Sequence, residues 1–261
     1  MAIFFLSVCQ AKTLENNPEE VIQGVQDFKS GKYQSAYDLL IPYANKGNPR
    51  AQFTIGLLYD MGNIKLMDKS RAVEWYRKAA EQGLADAQYD MGVMFSKGEG
   101  IYKDLKEAIY WYQKAADQGH GPALFNLAVS YERGYGVNIN IKKAIHYYEQ
   151  AINQDMAKAA YNLAHIYYLG KEIEKSLPIA FKLYQKAAEQ NHAGAQYYLG
   201  WMYEQGEATP INIKKALYWY REAAINGHPK GIWNYALLLE KMGKKDEANE
   251  WKLRLKKKKQ K

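Results

Sequence analysis

The chain has 261 residues, 48% of them apolar or aromatic, which suits one large domain or two small ones and excludes a disordered chain. Its formal charge of +8 points first to nucleic acid or a membrane, but residues 252–261 (KLRLKKKKQK) hold seven Lys/Arg and no acid, so only about +1 is left for the rest. The single cysteine, Cys9, excludes an internal disulfide framework and a thiolate zinc site.

At the amino terminus, MAIFFLSVCQAK carries an apolar run from Ala2 to Val8 and then small residues ending at Ala11, the pattern of a secretory signal peptide cleaved after Ala11. No Lys or Arg precedes Lys12, so a start further upstream or a short apolar extension are the alternatives. A lipid anchor on Cys9 fits less well, because branched Val8 stands where a small residue normally precedes the lipidated cysteine. The run is too short to span a bilayer, which takes about 20 residues. Residues 1–17 are therefore read as leader and linker, and the expected location is periplasmic or secreted, with cytoplasmic as the alternative.

From Asn48 onward the chain repeats itself: segments beginning at Asn48, Leu84, His120, Met156 and His192 align without a gap at a period of 36 residues. One column reads Ala51, Ala87, Ala123, Ala159, Ala195; another reads Gly56, Gly92, Ala128, Ala164, Gly200; a third reads Tyr59, Phe95, Tyr131, Tyr167, Tyr203. The second half of each unit repeats Ala72, Ala108, Ala144, Ala180, Ala216, then Trp75-Tyr76, Trp111-Tyr112, Tyr147-Tyr148, Leu183-Tyr184, Trp219-Tyr220. Spacings of three, four and seven put the small residues and one aromatic on a single helical face, so each unit predicts two amphipathic helices.

The punctuation predicts the same helices. Gly62, Gly98, Gly134, Gly170 and Gly206 stand where the first helix must stop in a left-handed residue, and Gly83, Gly119, Asp155, Asn191 and Gly227 do so for the second. Asp68, Asp104, Asn140, Ser176 and Asn212 each precede the second helix with a side-chain oxygen able to accept from its free N–H groups.

These residues carry a family resemblance: ADAQYDMGVMFSKGEGIYKDLKEAIYWYQKAADQG (Ala85 to Gly119) resembles a Sel-1-like repeat, a relative of the tetratricopeptide repeat. The likeness covers residues 48–227, as units 48–83, 84–119, 120–155, 156–191 and 192–227, and residues 18–47 and 228–255 resemble tetratricopeptide-like end caps. It implies an all-α fold of about seven antiparallel helix pairs stacked into an α-α superhelix, right-handed and with a concave inner surface. Residues 18–255 are thus expected to form one solenoid domain, followed by a lysine-rich tail at 256–261. It further implies a non-enzymatic adaptor that binds proteins, and bacterial members are often exported and take part in envelope processes or contacts with a host cell. A cysteine-rich branch staples each helix pair with a disulfide, and the activities proposed for that branch do not transfer to a chain lacking those cysteines.

Two motifs could still suggest chemistry. In SKGEGIYKD (Ser96 to Asp104) the spaced glycines mimic a phosphate loop, but no strand precedes them, Lys103 is followed by Asp104, and ERGYGVNIN recurs one period later. His120, His192 and His228 share one column, yet equivalent positions on neighbouring helix pairs lie about 10 Å apart, too far for one metal. No catalytic residue, cofactor or metal is expected.

What remains is the face of each first helix that the core leaves free, which lines the concave groove in the tetratricopeptide fold. Its candidate partner-binding residues are Arg50, Thr54, Asp90, Lys97, Asn126, Arg133, Lys158, Asn162, His165, Tyr198, Trp201 and Asn234. The asparagines can both donate to and accept from a peptide backbone, the cations can meet carboxylates, and Tyr198 with Trp201 offer flat apolar area. That mixture suits a protein loop or extended peptide better than a small-molecule substrate. The neighbouring column Phe53, Tyr89, Phe125, Tyr161, Tyr197 and Trp233 is assigned to the core. Two other readings compete: a hydrolase acting on an envelope polymer, with Asp86 and Asp90 as the only adjacent acids on the stripe, and charge-driven contact of the lysine tail with an acidic membrane surface or nucleic acid.

Overall fold

The computed structural model describes residues 17–61, 68–170 and 172–258, with side chains through Leu255. The leader, Cys9, Gly62 and the side chains of the terminal lysines lie outside the described residues. Among those described there are 14 helices and no strand. They are α1 (Glu19–Lys29), α2 (Tyr33–Asn45), α3 (Pro49–Asp60), α4 (Lys69–Glu81), α5 (Ala85–Lys97), α6 (Leu105–Ala116), α7 (Gly121–Arg133), α8 (Ile141–Ile152), α9 (Ala157–Leu169), α10 (Leu177–Glu189), α11 (Ala193–Gln205), α12 (Ile213–Ile225), α13 (Pro229–Lys241) and α14 (Lys245–Lys258). Contacts divide the chain into two compact halves, one ending at Ile139 and one starting at Asn140. Within each half every helix packs on the next in sequence, so the architecture is all-α, with about seven helix pairs along the chain.

The repeated columns explain this packing. Ala51, Ala87, Ala123, Ala159 and Ala195 are fully buried, and small side chains there let helix backbones approach closely. The tyrosine of each second helix fills the space behind them: Tyr76, Tyr148, Tyr184 and Tyr220 are 0% exposed and Tyr112 is 4% exposed. A Cβ on Gly56 would lie 2.6 Å from the Tyr76 ring, and one on Gly92 would lie 2.5 Å from Tyr112. Burying each aromatic side chain contributes about 2 kcal/mol before the entropy of ordering it.

Amide side chains hold successive pairs in register. Gln52 donates from Nε2 to the Ala44 carbonyl at 3.1 Å, and Gln82 donates to Gln52 Oε1 at 2.7 Å. Gln88 and Gln118 repeat this with Ala80, and Gln196 and Asn226 repeat it with Ala188. Leu124 and Ala160 stand in the same column and bury carbon there instead.

The helix stops form as expected: Gly98, Gly134, Gly170 and Gly206 have φ of 67–78°, and Asp155 and Asn191 take the left-handed conformation where other units have glycine. The starts need one correction. Asp68, Asp104, Asn140 and Asn212 each accept from N–H groups of the following turn, whereas Ser176 makes no side-chain cap. Pro178 removes one donor of that turn, so α10 begins with less need of an acceptor.

The loop around Gly98 and Gly100 keeps its left-handed backbone even where its sequence loses the second glycine. Gly100 and Gly136 have φ of 69° and 73°, and a Cβ on either would lie within 2.4 Å of the Lys69 or Leu105 carbonyl oxygen. The same left-handed position is held by Glu172 (φ 62°) and Ala208 (φ 59°) in the last two repeats.

Candidate functional site

The histidine column has a structural role that its spacing does not reveal. His120, His192 and His228 are the N-caps of α7, α11 and α13: their Nδ1 atoms accept from Ala123, Ala195 and Gly231 N–H at 3.3, 3.2 and 3.1 Å. Asn48 does the same for α3, accepting from Ala51 N–H at 2.9 Å. Each histidine ring also lies on a tyrosine, with centroids 4.9 Å apart for Tyr89–His120, 4.5 Å for Tyr161–His192 and 4.8 Å for Tyr197–His228. Burial first, then Lys158 beside His192 and Lys230 beside His228, holds these two imidazoles below the ordinary histidine range. No group of three or more His, Cys, Asp or Glu among the described residues is placed to hold a metal.

The stripe position Thr54, Asp90, Asn126, Asn162, Tyr198, Asn234 follows a rule of its own. Each residue from Asp90 on lies 14 positions after the buried tyrosine of the preceding repeat and faces it. In the N-terminal half, burial pushes the hydroxyls of Tyr89 and Tyr112 up, and Asn126 beside them favours their ionised form. In the C-terminal half, Asn162 donates to the Tyr148 hydroxyl at 3.0 Å, and Asn234 lies beside the Tyr220 hydroxyl, which donates to Glu204 at 2.7 Å. Tyr198 instead stacks on Tyr184, 4.9 Å between centroids and 3° between planes. Fourteen positions before Thr54 the chain has Leu40 in place of a tyrosine, and the Thr54 hydroxyl donates to the Arg50 carbonyl at 2.9 Å. These side chains thus serve the joint between repeats as well as the face.

The other candidates divide by depth. Thr54 is 2% exposed and Arg50 is 9% exposed, with the guanidinium on Asp86 at 3.0 Å, so both belong to the interior. Asp86 also faces Nε2 of His120 at 3.5 Å. Asp90 lies beside them, and burial, then the like charges of Asp60 and Asp86, push its carboxyl up to about 8 against the opposing pull of Lys97. Lys97, Arg133 and Lys158 are exposed. The core column is corrected: only Phe53 is buried, Tyr89, Phe125, Tyr161 and Tyr197 are partly exposed, and Trp233 is 49% exposed with Lys252 over its ring at 5.3 Å.

The candidates that converge most closely are on α9 and α11. Tyr198 lies 5.4 Å from His165, 5.7 Å from Tyr168 and 6.2 Å from Tyr161 by ring centroid. His165 Nδ1 is 3.0 Å from the Tyr184 hydroxyl, and Trp201 lies near the hydroxyl of Tyr168. All five of Tyr161, His165, Tyr168, Tyr198 and Trp201 are partly exposed, forming one aromatic surface. Tyr161 and Tyr168 escape a reading by single stripe, because they come from neighbouring columns of the same helix.

The geometry has a family counterpart. The Sel1 repeat model matches residues 49–84, 85–120, 121–156, 157–192 and 193–228. A Sel1 repeat protein from Oxalobacter formigenes is 32% identical with a TM-score of 0.79, covering 90% of this chain and 96% of its own. A protective antigen of uropathogenic Escherichia coli strains, displaying an SLR fold, is 25% identical with a TM-score of 0.86; it covers 97% of this chain, which spans 57% of that longer one. An immunity protein from Pseudomonas aeruginosa, 20% identical with a TM-score of 0.54 over 85% of this chain and 87% of its own, shares the fold. No curated protein matches the chain. Five consecutive units in one register, on helices capped and packed as those units require, show that the chain belongs to the Sel1 repeat family.

Proposed function

We propose that the chain is a non-catalytic scaffold that binds a protein loop or extended peptide on the first-helix face of its repeats. Sel1 repeat proteins generally bind other proteins and are typically non-catalytic. The observation that carries the reading is the aromatic surface of Tyr161, His165, Tyr168, Tyr198 and Trp201: partly exposed rings on two adjacent first helices, with polar edges, are the composition of an interface anchor. Partner capture by the chain carrying Trp201→Ala and Lys97→Ala tests it, because neither side chain is part of the buried joints. Lost capture with an unchanged helical circular-dichroism signal is the expected result, and undiminished capture overturns the assignment.

The apolar run Ala2–Val8 with the small residues after it supports export, with an envelope or host-cell partner. The mass of the mature chain tests this: a protein beginning at Lys12 supports export, and one retaining Met1 or Ala2 opposes it.

A hydrolase reading has one observation in its favour, a carboxyl at Asp90 that titrates near 8 beside other acids, as a general acid requires. Against it, Asp86 is held by Arg50 and His120, which leaves it poorly placed to act as base or nucleophile. Turnover of an envelope polymer that disappears on Asp90→Asn would favour this reading over the scaffold.

A further inference from the structure

The first helices of the C-terminal half carry an uneven charge. Lys158 on α9 and Lys230 and Lys241 on α13 are exposed, and none of the three makes an ion pair among the described residues. The acids on α9, α11 and α13 are Glu204 and Glu240, and both are engaged: Glu204 accepts from the Tyr220 hydroxyl at 2.7 Å, and Glu240 accepts from Lys252 Nζ at 2.6 Å. Glu172, Glu174 and Glu207 lie in the loops beyond the ends of α9 and α11. Lys241, at the end of α13, complements the helix dipole there, whereas Lys158 and Lys230 are the second residues of α9 and α13, so their charges oppose the helices that carry them. Both stand beside the aromatic surface. Lys158 is one turn before Tyr161 and close to His192, whose ring lies 4.5 Å from that of Tyr161. Lys230 is close to His228, whose ring lies 4.8 Å from that of Tyr197, and Tyr197 in turn lies 5.3 Å from Tyr198.

We infer that the surface formed by Tyr161, Tyr168, Tyr198 and Trp201 with Lys158 and Lys230 receives an acidic peptide, with one large apolar side chain on the rings and carboxylates running from it toward the helix starts. The partly exposed rings offer flat area for the anchor. The two exposed ammonium groups draw an acidic segment to this face and disfavour a basic one. At the other end of the surface, Lys175 and Glu207 both stand near Tyr168, so charge there favours neither sign and the acids fall on one side of the anchor. Single-stranded nucleic acid also combines flat rings with negative charge, but it is held along a basic groove that tracks its backbone, and two lysines at one end of the rings do not make such a track.

This inference rests on the peptide-binding reading and adds the charge of the partner. A displayed library of random peptides, selected on the full chain, tests both. Enrichment of a large apolar residue with Asp or Glu on one side of it is expected. A selected peptide is then measured by calorimetry on the wild-type chain and on the chain carrying Lys158→Gln with Lys230→Gln, and again with its acids replaced by the corresponding amides. The paired change should weaken the acidic peptide about fivefold, lessen its loss of affinity with added salt, and leave the amide peptide unaffected. Because both lysines oppose their helices, the variant should melt no lower than the wild type, which separates lost recognition from lost folding. Selected peptides that lack acids, or acidic peptides indifferent to the paired change, overturn the acidic site and leave the peptide-binding reading standing. A library from which nothing is enriched overturns both. A single-stranded oligonucleotide that binds through the same lysines more tightly than the selected peptides overturns the peptide as occupant.

Discussion

Asn162 on α9 donates from Nδ2 to the hydroxyl of Tyr148 on α8 at 3.0 Å, which joins a side chain on the exposed face to one that is 0% exposed. Removing the amide takes a partner from a buried hydroxyl, and such losses cost about 1–2 kcal/mol. Asn162→Ala should therefore lower the urea midpoint of the full chain, and Tyr148→Phe combined with it should recover part of the loss. A variant of Asn162 is consequently a poor probe of partner binding unless its stability is measured alongside.

The carboxyl of Asp90 gives a pH dependence of defined sign. Its folded pKa, about 8, lies above the ordinary aspartate value, so the folded state binds the extra proton between those two values. The associated stability is fully present below about pH 4 and is lost as pH rises through 8. Asp90→Asn should raise the denaturation midpoint at pH 8 and leave it nearly unchanged at pH 4. Urea titrations of the two chains across that range check the convergence at acid pH.

The histidine caps act in the opposite direction. His192 and His228 are held below the ordinary histidine range, and Nδ1 accepts from the helix only while unprotonated. Their stabilisation is present above the unfolded pKa of about 6.5 and is lost as pH falls through the lower folded value. Asparagine already performs this task at Asn48 without titrating. His192→Asn with His228→Asn should therefore match the wild type at pH 7 and exceed it in stability at pH 5, by about 1 kcal/mol per cap. Paired melts at the two pH values decide it.

Loop glycines give a test in both directions. Gly100→Ala places a Cβ 2.2 Å from the Lys69 carbonyl oxygen in a left-handed residue and should destabilise by about 2–4 kcal/mol. Ala208→Gly relieves the same conformation in the last Sel1 repeat and should stabilise by about 1 kcal/mol. Equilibrium unfolding of the two single variants measures both.

The helices were legible in the sequence because their stops, starts and buried faces recur every 36 residues, so each unit checks the others. The caps at Asp104 and Asn140 follow from residue type alone, since an acceptor before a helix has local N–H groups to meet. The failures arise where a side chain answers to a residue outside its own helix. Nothing local to Thr54 shows that it turns inward, and the stripe alone does not show Tyr161 and Tyr168 joining Tyr198. Trp233 shares its column's type, but on α13 its ring is 49% exposed, with only Lys252 of α14 placed over it among the described cations.

The pairing of each stripe residue from Asp90 on with a tyrosine 14 positions earlier has an evolutionary consequence. A change of chemistry on the exposed face at Asn162 alters the hydrogen bonding of Tyr148, and one at Tyr198 alters the stack on Tyr184. New binding preferences in this family should therefore arise by correlated replacement at two sites, 14 positions apart in the chain and in contact across facing helices. Among related chains, covariation at a separation of 14 should mark the units whose specificity has drifted.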